Sequence, residues 1–250
     1  MRTVLDVRKL SYFYYSQNSL NTFNKCPLKF KLKYFDNMSW RNDSEEDIEY
    51  YEGIKIGLDF HLICERYFSG IPLGNENCNE DIARWTDELL KLMSMEKQNV
   101  YLPEYEIKMI KDHVRLQAKY DLIVIKPNNE VEIWDWKTEN RKLSHKELEG
   151  RFQTIVYMYA AGEKLSETLG KEIKLNQIKM VYWQPQYAEH IITISYSEDK
   201  HRKNKSTIYE LVENINQYDF IRDFNRELYI KQCKFCEFNY FCNNQKIEFK

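Results

Sequence analysis

The segment Ile133-Trp134-Asp135-Trp136-Lys137-Thr138 decides the fold of this 250-residue chain. Its composition is typical of a β-strand, in which side chains alternate between two faces, so Asp135 and Lys137 emerge on the same face. A carboxylate and an ammonium group that lie side by side among apolar residues are costly to bury, because both lose their hydration. The pair is therefore either a plain ion pair or part of a functional site.

The preceding strand-like segment, Val114 to Ile125, bears on this choice because it contains a second aspartate, Asp121. If the two segments form a hairpin around Asn128, Asp121 and Asp135 lie opposite each other. Two facing carboxylates repel unless a divalent cation sits between them. A two-residue turn at Asn128 and Asn129 would move Asp135 to the other face, so a metal site here predicts an odd loop length or a bulge.

Composition limits the class of protein. The chain has 37 basic and 39 acidic side chains, which excludes a histone-like polycation and confines any nucleic-acid binding to local patches. No apolar run approaches the roughly 20 residues of a membrane span, and residues 1–10 lack the pattern of a signal peptide. We therefore expect a soluble, cytoplasmic α/β protein with no membrane partner, folded as one domain over residues 1–250.

Periodicity and turn residues predict the elements of that domain. Helices are expected at about 54–68, 81–97, 144–163 and 199–218, and strands at 104–111, 114–125, 130–137, 178–184 and 190–196. Ser19 is expected to cap a short N-terminal helix, and the Ser144–Glu147 capping box to start the third long helix.

The six cysteines separate into a C-terminal cluster, one candidate partner and two bystanders. Cys233, Cys236 and Cys242 have the spacing C-x2-C-x5-C, and thiolates this close in a reducing compartment usually hold a metal. Cys26, at a helix boundary before Pro27, is the best candidate for a fourth ligand. Three ordinary buried thiols are the alternative. The bystanders, expected in a helix core and in a loop, are Cys64 and Cys78.

Together these features resemble the PD-(D/E)XK nuclease core, in the form found in its RecB-like branch. The resemblance covers residues 16–243 and rests on five motifs in the family's order. They are Cys26-Pro27, Gly57-x3-His61, Asp121 with Asp135-x-Lys137, Gln153-x3-Tyr157, and the C-terminal cysteines. In these motifs the chain resembles the CRISPR-associated RecB-like exonucleases and the AddB nuclease domain.

The resemblance implies a restriction-endonuclease-like fold, with a mixed central sheet flanked by helices and a nuclease core at about 54–200. It also implies a metal-dependent DNA exonuclease that acts on single-stranded ends, in CRISPR adaptation or in recombination and repair. An integrase or a helicase would be the partner, and ring-forming relatives make an oligomer an option. A structure-specific or endonucleolytic DNase and a catalytically silent DNA-binding scaffold are the alternatives.

The resemblance also implies a role for each site residue. Mn²⁺ or Mg²⁺ would be bound by His61, Asp121, Asp135 and the Trp136 carbonyl. Lys137 would act on the attacking water or on the phosphate. Gln153 and Tyr157 would position water, Lys137 or DNA. A [4Fe-4S] cluster, with zinc as the alternative, would join residues 16–36 to 220–243 through Cys26, Cys233, Cys236 and Cys242. Weaker candidates are Glu106 as an extra acidic group, and Arg141, Lys142 and residues 25–35 and 201–205 as phosphate contacts.

Overall fold

A computed structural model describes residues 13–39, 45–74, 78–220, 222–233, 236–239 and 242. Its helices are α1 (Gln17–Lys25), α2 (Pro27–Phe30), α3 (Glu45–Phe68), α4 (Glu80–Leu92), α5 (His145–Glu149), α6 (Phe152–Leu169), α7 (Glu198–Gln217) and α8 (Ile230–Cys233). Its strands are β1 (Val100–Lys111), β2 (Val114–Ile125), β3 (Val131–Trp136), β4 (Ile178–Trp183) and β5 (Ile191–Ser195). Residues 1–10, where no signal-peptide pattern is found, lie outside this description.

The five strands form one sheet in the order β1-β2-β3-β4-β5. β3 and β4 are parallel, and the other neighbouring pairs are antiparallel. A parallel pair needs a crossover connection, and here α5 and α6 lie between β3 and β4 in the chain. The predicted mixed sheet with flanking helices is therefore confirmed. Within the described residues, no helix is long and apolar enough to span a membrane.

The hairpin between β2 and β3 has the geometry that a metal site requires. Its register runs from Leu122 opposite Trp134 to Ile125 opposite Val131, so five residues form the loop. One residue further, the same register places Asp121 opposite Asp135. The predicted odd loop length is therefore confirmed, and the two aspartates belong to the same rung of the hairpin.

The sheet separates two hydrophobic clusters. Val131 and Ile133 of β3 belong to the larger cluster, which includes apolar side chains of α1, α6 and α7. Trp134 and Trp136 alternate with them and belong to the smaller cluster, with side chains of α3 and α4. β3 is buried along its whole length, so a charged side chain on it is held among packed neighbours.

Several predicted boundaries are wrong. α3 begins at Glu45 rather than at about 54, β1 begins at Val100 rather than at 104, and α6 ends at Leu169 rather than at 163. Three further differences have local reasons. Ser16 caps α1, because its hydroxyl accepts from the Ser19 amide while the Ser19 hydroxyl accepts from the Ser16 amide. The helix expected at 144–163 is two helices, since the backbone turns at Gly150 and is extended at Arg151. The helix expected to reach residue 97 ends at Leu92, because Met93 is extended.

Candidate metal and catalytic site

Lys137, immediately after β3, is held by two side chains. Its Nζ lies 2.6 Å from Oδ2 of Asp135 and donates to Oε1 of Gln153 at 2.7 Å. The Gln153 amide nitrogen in turn donates to Oδ1 of Asp135. Gln153 is in position because α6 starts at residue 152 and directs its first turn toward the end of β3. Each of the three side chains contacts the other two, and these contacts fix the position of the Lys137 ammonium group.

Asp135 is 1% exposed. Burial raises the pKa of its carboxyl to about 6, and the charge of Asp121 adds to this, whereas Lys137 opposes it. Although Oδ2 is close to the Lys137 ammonium, it makes no hydrogen bond of normal geometry to the described residues. A buried carboxylate oxygen in this state favours a further cation.

The second part of the site joins α3 to β1 and β2. One ligand atom each from His61, Glu104 and Asp121 lies within 4.8 Å of the other two. His61 Nδ1 is 3.4 Å from Oδ1 of Asp121, and the Trp136 amide donates to Oδ2 of Asp121 at 2.9 Å. Burial lowers the pKa of His61, but its contact with Asp121 and the charges of both aspartates outweigh burial and raise it. The cluster is an imidazole with two carboxylates, a donor set that suits a divalent ion.

Glu104 was not predicted, and the acidic candidate on this strand, Glu106, is not part of this cluster. Glu106 is half exposed and pairs with Lys108, with 2.9 Å between Oε2 and Nζ. Glu104 has a φ of 49°, a left-handed conformation that is uncommon for a non-glycine residue and clusters at functional sites. The signal in the sequence is Pro103, because proline inside a strand marks an irregularity.

Gly57 explains the spacing of the Gly-x3-His motif. It lies one helical turn before His61, and a Cβ at this position would be 2.7 Å from Oγ1 of Thr138. The missing side chain therefore lets α3 approach the chain directly after Lys137. This close approach brings His61 to the end of β3.

Tyr157 lies one turn after Gln153 on α6 and is buried. Burial, followed by the charges of Asp135 and Asp121, raises the pKa of its hydroxyl above the ordinary value. The hydroxyl therefore stays protonated and can donate a hydrogen bond toward the site. Trp136, the remaining predicted ligand residue, is 2% exposed and reaches Asp121 through its amide.

Cys26, Cys233, Cys236 and Cys242 line one cavity of about 260 Å³. Cys26 lies between α1 and α2, where its Sγ accepts from the Lys29 amide at 3.4 Å. Lys29 also forms an ion pair with Glu237. The predicted docking of the C-terminal segment on the N-terminal helices is therefore confirmed.

The thiols that line this cavity are partly buried, and they lie within range of one another's charges. Burial, followed by the charges of the three other cysteines, raises the pKa of Cys242 to about 11. Among the described cysteines, however, no three sulfur atoms lie within 4.8 Å of one another. Cys64 is buried in α3 and Cys78 lies in the loop before α4, as predicted.

Several basic candidates already have acidic partners in the protein. Arg141 donates to Oε2 of Glu147 at 2.8 Å, and His201 Nε2 lies 3.0 Å from Oε1 of Glu163. Lys29, in the predicted basic segment 25–35, pairs with Glu237. Each of these basic side chains therefore takes part in an ion pair within the protein, which is the alternative to a role in phosphate binding.

Comparison with solved structures finds chains of low sequence identity. A protein from Eubacterium rectale, provisionally described as an exonuclease, is 11% identical, with 84% of this chain and 83% of that chain covered and a TM-score of 0.47. The protein SSO0001 is 14% identical, with 95% and 91% covered and a TM-score of 0.37. No curated protein sequence matches this chain.

Comparison with family models is more informative. The model described as the PD-(D/E)XK nuclease superfamily matches residues 14–112 and 94–243. The two matches together span most of the chain, and they include every residue of the site described above. The chain belongs to the PD-(D/E)XK nuclease superfamily.

Proposed function

We propose that this chain is a RecB-like, divalent-metal-dependent deoxyribonuclease that degrades DNA from single-stranded ends. The observation that supports this most strongly is the juxtaposition of two groups. Asp135 and Gln153 fix Lys137, which directly follows β3. The last amide of β3, that of Trp136, donates to Asp121, which belongs to the cluster with His61 and Glu104. A cation site beside a fixed ammonium group is the arrangement that phosphodiester hydrolysis needs.

Mn²⁺ or Mg²⁺ would be held by His61, Asp121, Asp135 and the carbonyl of Trp136. Glu104 adds a carboxylate to this set. The residues fit such an ion because they offer mainly hard oxygen donors, and the single imidazole shifts the preference toward Mn²⁺. When bound, the ion polarises the phosphoryl oxygen and lowers the pKa of a bound water.

The side chains of the protein supply the remaining functions. Lys137 orients the attacking water and stabilises negative charge on the phosphate, while Gln153 limits the positions that the ammonium can adopt. Tyr157, a protonated phenol, donates a hydrogen bond on the α6 side of the site. Asp135, which contacts Lys137, would also be one of the residues that hold the ion.

The preference for single-stranded ends rests on the resemblance to the CRISPR-associated RecB-like exonucleases and the AddB nuclease domain. We propose that the chain acts in CRISPR adaptation or in recombination and repair, with an integrase or a helicase as partner. An endonuclease, or a scaffold that has lost activity, are the competing functions.

A cleavage assay tests the proposal. End-labelled linear and circular single-stranded DNA are incubated with Mn²⁺ and either the unchanged protein, Lys137→Ala or Lys108→Ala. We expect digestion of the linear strand alone, loss of activity in Lys137→Ala, and full activity in Lys108→Ala, whose lysine pairs with Glu106 outside the site. Cleavage of the circle would indicate an endonuclease. Absence of Lys137-dependent cleavage would refute the enzyme proposal.

We further propose that the cysteine cavity holds a [4Fe-4S] cluster, with zinc as the alternative occupant. Sulfur atoms around a tetrahedral zinc ion, with Zn–S bonds of about 2.3 Å, are roughly 3.8 Å apart. No three of the described cysteine sulfurs lie within 4.8 Å of one another, which favours a group larger than a single zinc ion. Brown, anaerobically purified protein with stoichiometric iron and sulfide is expected. Colourless protein with stoichiometric zinc would identify zinc instead.

A further inference from the structure

One carboxylate of the metal cluster is already bound to a cation of the protein. The Nζ of Lys119, on β2, lies 2.5 Å from Oε2 of Glu104. The same Glu104 side chain has an oxygen in the group formed with His61 and Asp121. A divalent ion in this cluster and the Lys119 ammonium would therefore compete for one carboxylate.

We propose that Lys119 is a DNA-phosphate-binding residue that metal binding releases. In the metal-free protein the ammonium neutralises Glu104. When a divalent ion binds Glu104, the ammonium leaves it and pairs with a phosphate of the substrate strand. This inference rests on the proposed function, since it places DNA next to the metal cluster.

The two lysines of the site differ in how firmly they are held. The Lys137 side chain is 16% exposed and has two partners, Asp135 and Gln153. The Lys119 side chain is 60% exposed and its only ion pair among the described residues is with Glu104. The Glu104 side chain is 23% exposed, so the pair is open to solvent on the lysine side. A partly exposed pair contributes little to stability, so exchanging its carboxylate for a phosphate has a low cost. Lys137 is therefore the fixed cation and Lys119 the exchangeable one.

The charges around Lys119 explain why release depends on the metal. Lys119 pairs with Glu104 and lies opposite Glu106 in the register of β1 and β2. Without a metal ion Glu104 neutralises the Lys119 ammonium, and the second carboxylate of the cluster, Asp121, disfavours a phosphate. A divalent ion bound to Glu104 repels the ammonium and reverses the sign of the local charge.

The same pair of strands provides a matched control. Lys108 pairs with Glu106 on the solvent-exposed part of β1, with side chains 51% and 42% exposed. Neither residue belongs to the metal cluster. Lys108→Ala therefore removes an equivalent strand lysine and an equivalent ion pair without affecting any metal ligand.

The first measurement is a calorimetric titration with Mn²⁺ in the absence of DNA. Lys119→Ala removes the competing cation, so we expect Mn²⁺ to bind about two- to fivefold more tightly, the range given by an exposed ion pair. Lys108→Ala should leave the Mn²⁺ affinity unchanged. Equal Mn²⁺ affinity in Lys119→Ala and the unchanged protein would overturn the proposal.

The second measurement is the salt dependence of single-stranded DNA binding, by fluorescence anisotropy with Mn²⁺ in a Lys137→Ala background that prevents cleavage. Adding Lys119→Ala should weaken binding and reduce the slope of log K against log salt by about 0.7, the loss of one phosphate contact. An unchanged slope would overturn the proposal. This experiment does not depend on cleavage, so a failure here leaves the nuclease function standing.

A third variant tests the exchange itself. Glu104→Gln frees Lys119 without metal, so its DNA affinity in EDTA should exceed that of the unchanged protein. Adding Lys119→Ala should abolish the gain. A gain that survives in the double variant would mean that only the loss of a negative charge matters, and would exclude Lys119 as the phosphate contact.

Discussion

The imidazole Nδ1 of His61, on α3, lies 3.4 Å from Oδ1 of Asp121, on β2. The contact joins a helix on one face of the sheet to the strand that also opposes Asp135. It therefore connects the packing of α3 to the geometry of the metal cluster.

Removal of the imidazole should weaken the metal site more than the fold. We expect His61→Ala to lower Mn²⁺ affinity by at least about tenfold, since loss of a residue that only hydrogen-bonds to a metal ligand already costs that much. Cleavage should require correspondingly more Mn²⁺. His113→Ala is the matched control, because His113 is an exposed histidine near Glu213. If both variants need the same Mn²⁺ concentration, His61 is not a ligand.

A methyl group added at Gly57 should lower activity, whereas one added at Gly53, on the same helix, should not. Alanine is favoured over glycine in a helix by about 1 kcal/mol, and a Cβ on Gly53 meets nothing within 4 Å, so Gly53→Ala should stabilise the protein. The Cβ atom of Gly57→Ala would lie 2.7 Å from Oγ1 of Thr138, so this variant should have a lower cleavage rate.

The Thr138→Ala change provides the rescue experiment for Gly57. It removes the oxygen that the new methyl group meets, so the double variant should regain activity lost in Gly57→Ala. Cleavage rates and thermal melts of the four proteins measure both effects. Full activity of Gly57→Ala would show that the close approach has no functional role.

Gln153 should act mainly on the rate and to a smaller extent on metal binding. Gln153→Ala leaves Lys137 with Asp135 alone, and a reacting group that is poorly positioned costs about 10- to 100-fold in rate. Because Gln153 also donates to Oδ1 of Asp135, Mn²⁺ affinity should fall as well, but by less than in His61→Ala, which removes a ligand itself. Gln177→Ala, which alters a glutamine bonded to the Asn128 carbonyl, should cleave normally. A large fall in Mn²⁺ affinity with Gln153→Ala would make this residue part of the metal site instead.

Asp135 should make the metal-free protein less stable as the pH rises. The pKa of its carboxyl is raised from 3.8 to about 6, so between these values the unfolded chain releases the proton first and stability falls. At pH 8 the ionised side chain should cost on the order of 1–3 kcal/mol. Asp135→Asn should therefore melt higher than the unchanged protein at pH 8 in EDTA, with the gap closing near pH 4. A gap that does not vary with pH would contradict the assignment to Asp135.

The cysteine cavity should govern folding yield more than intrinsic rate. Cys242→Ala removes one wall of the cavity that joins α2 to the C-terminal segment, so less folded protein is expected, while cleavage per folded molecule changes little. Cys78→Ala, in a loop away from the cavity, is the control. A well-folded, colourless and equally active Cys242→Ala protein would show that the cavity needs no bound group.

The elements and the register of the β2–β3 hairpin could be predicted because strong local signals define them. Strand alternation around Asp135 and the turn residues near Asn128 are readable within a few positions. Helix ends were less predictable, as the break at Gly150 shows, since continuing periodicity conceals a single extended residue. Glu104 could not be predicted, because its position depends on a left-handed backbone conformation in a strand and on the packing of α3 across it.

The convergence of Cys26 and Cys242 on one cavity also affects how the protein is made. The apolar side chains of Leu28 and Leu32 pack against Phe238, which is synthesised about 200 residues later. While the chain emerges from the ribosome, Leu28 and Leu32 therefore stay exposed until Phe238 has been added, and exposed apolar surface is prone to aggregation. A premature stop before residue 233 would leave the nuclease residues complete but that surface uncovered, so such a product would be a target for chaperones and proteases.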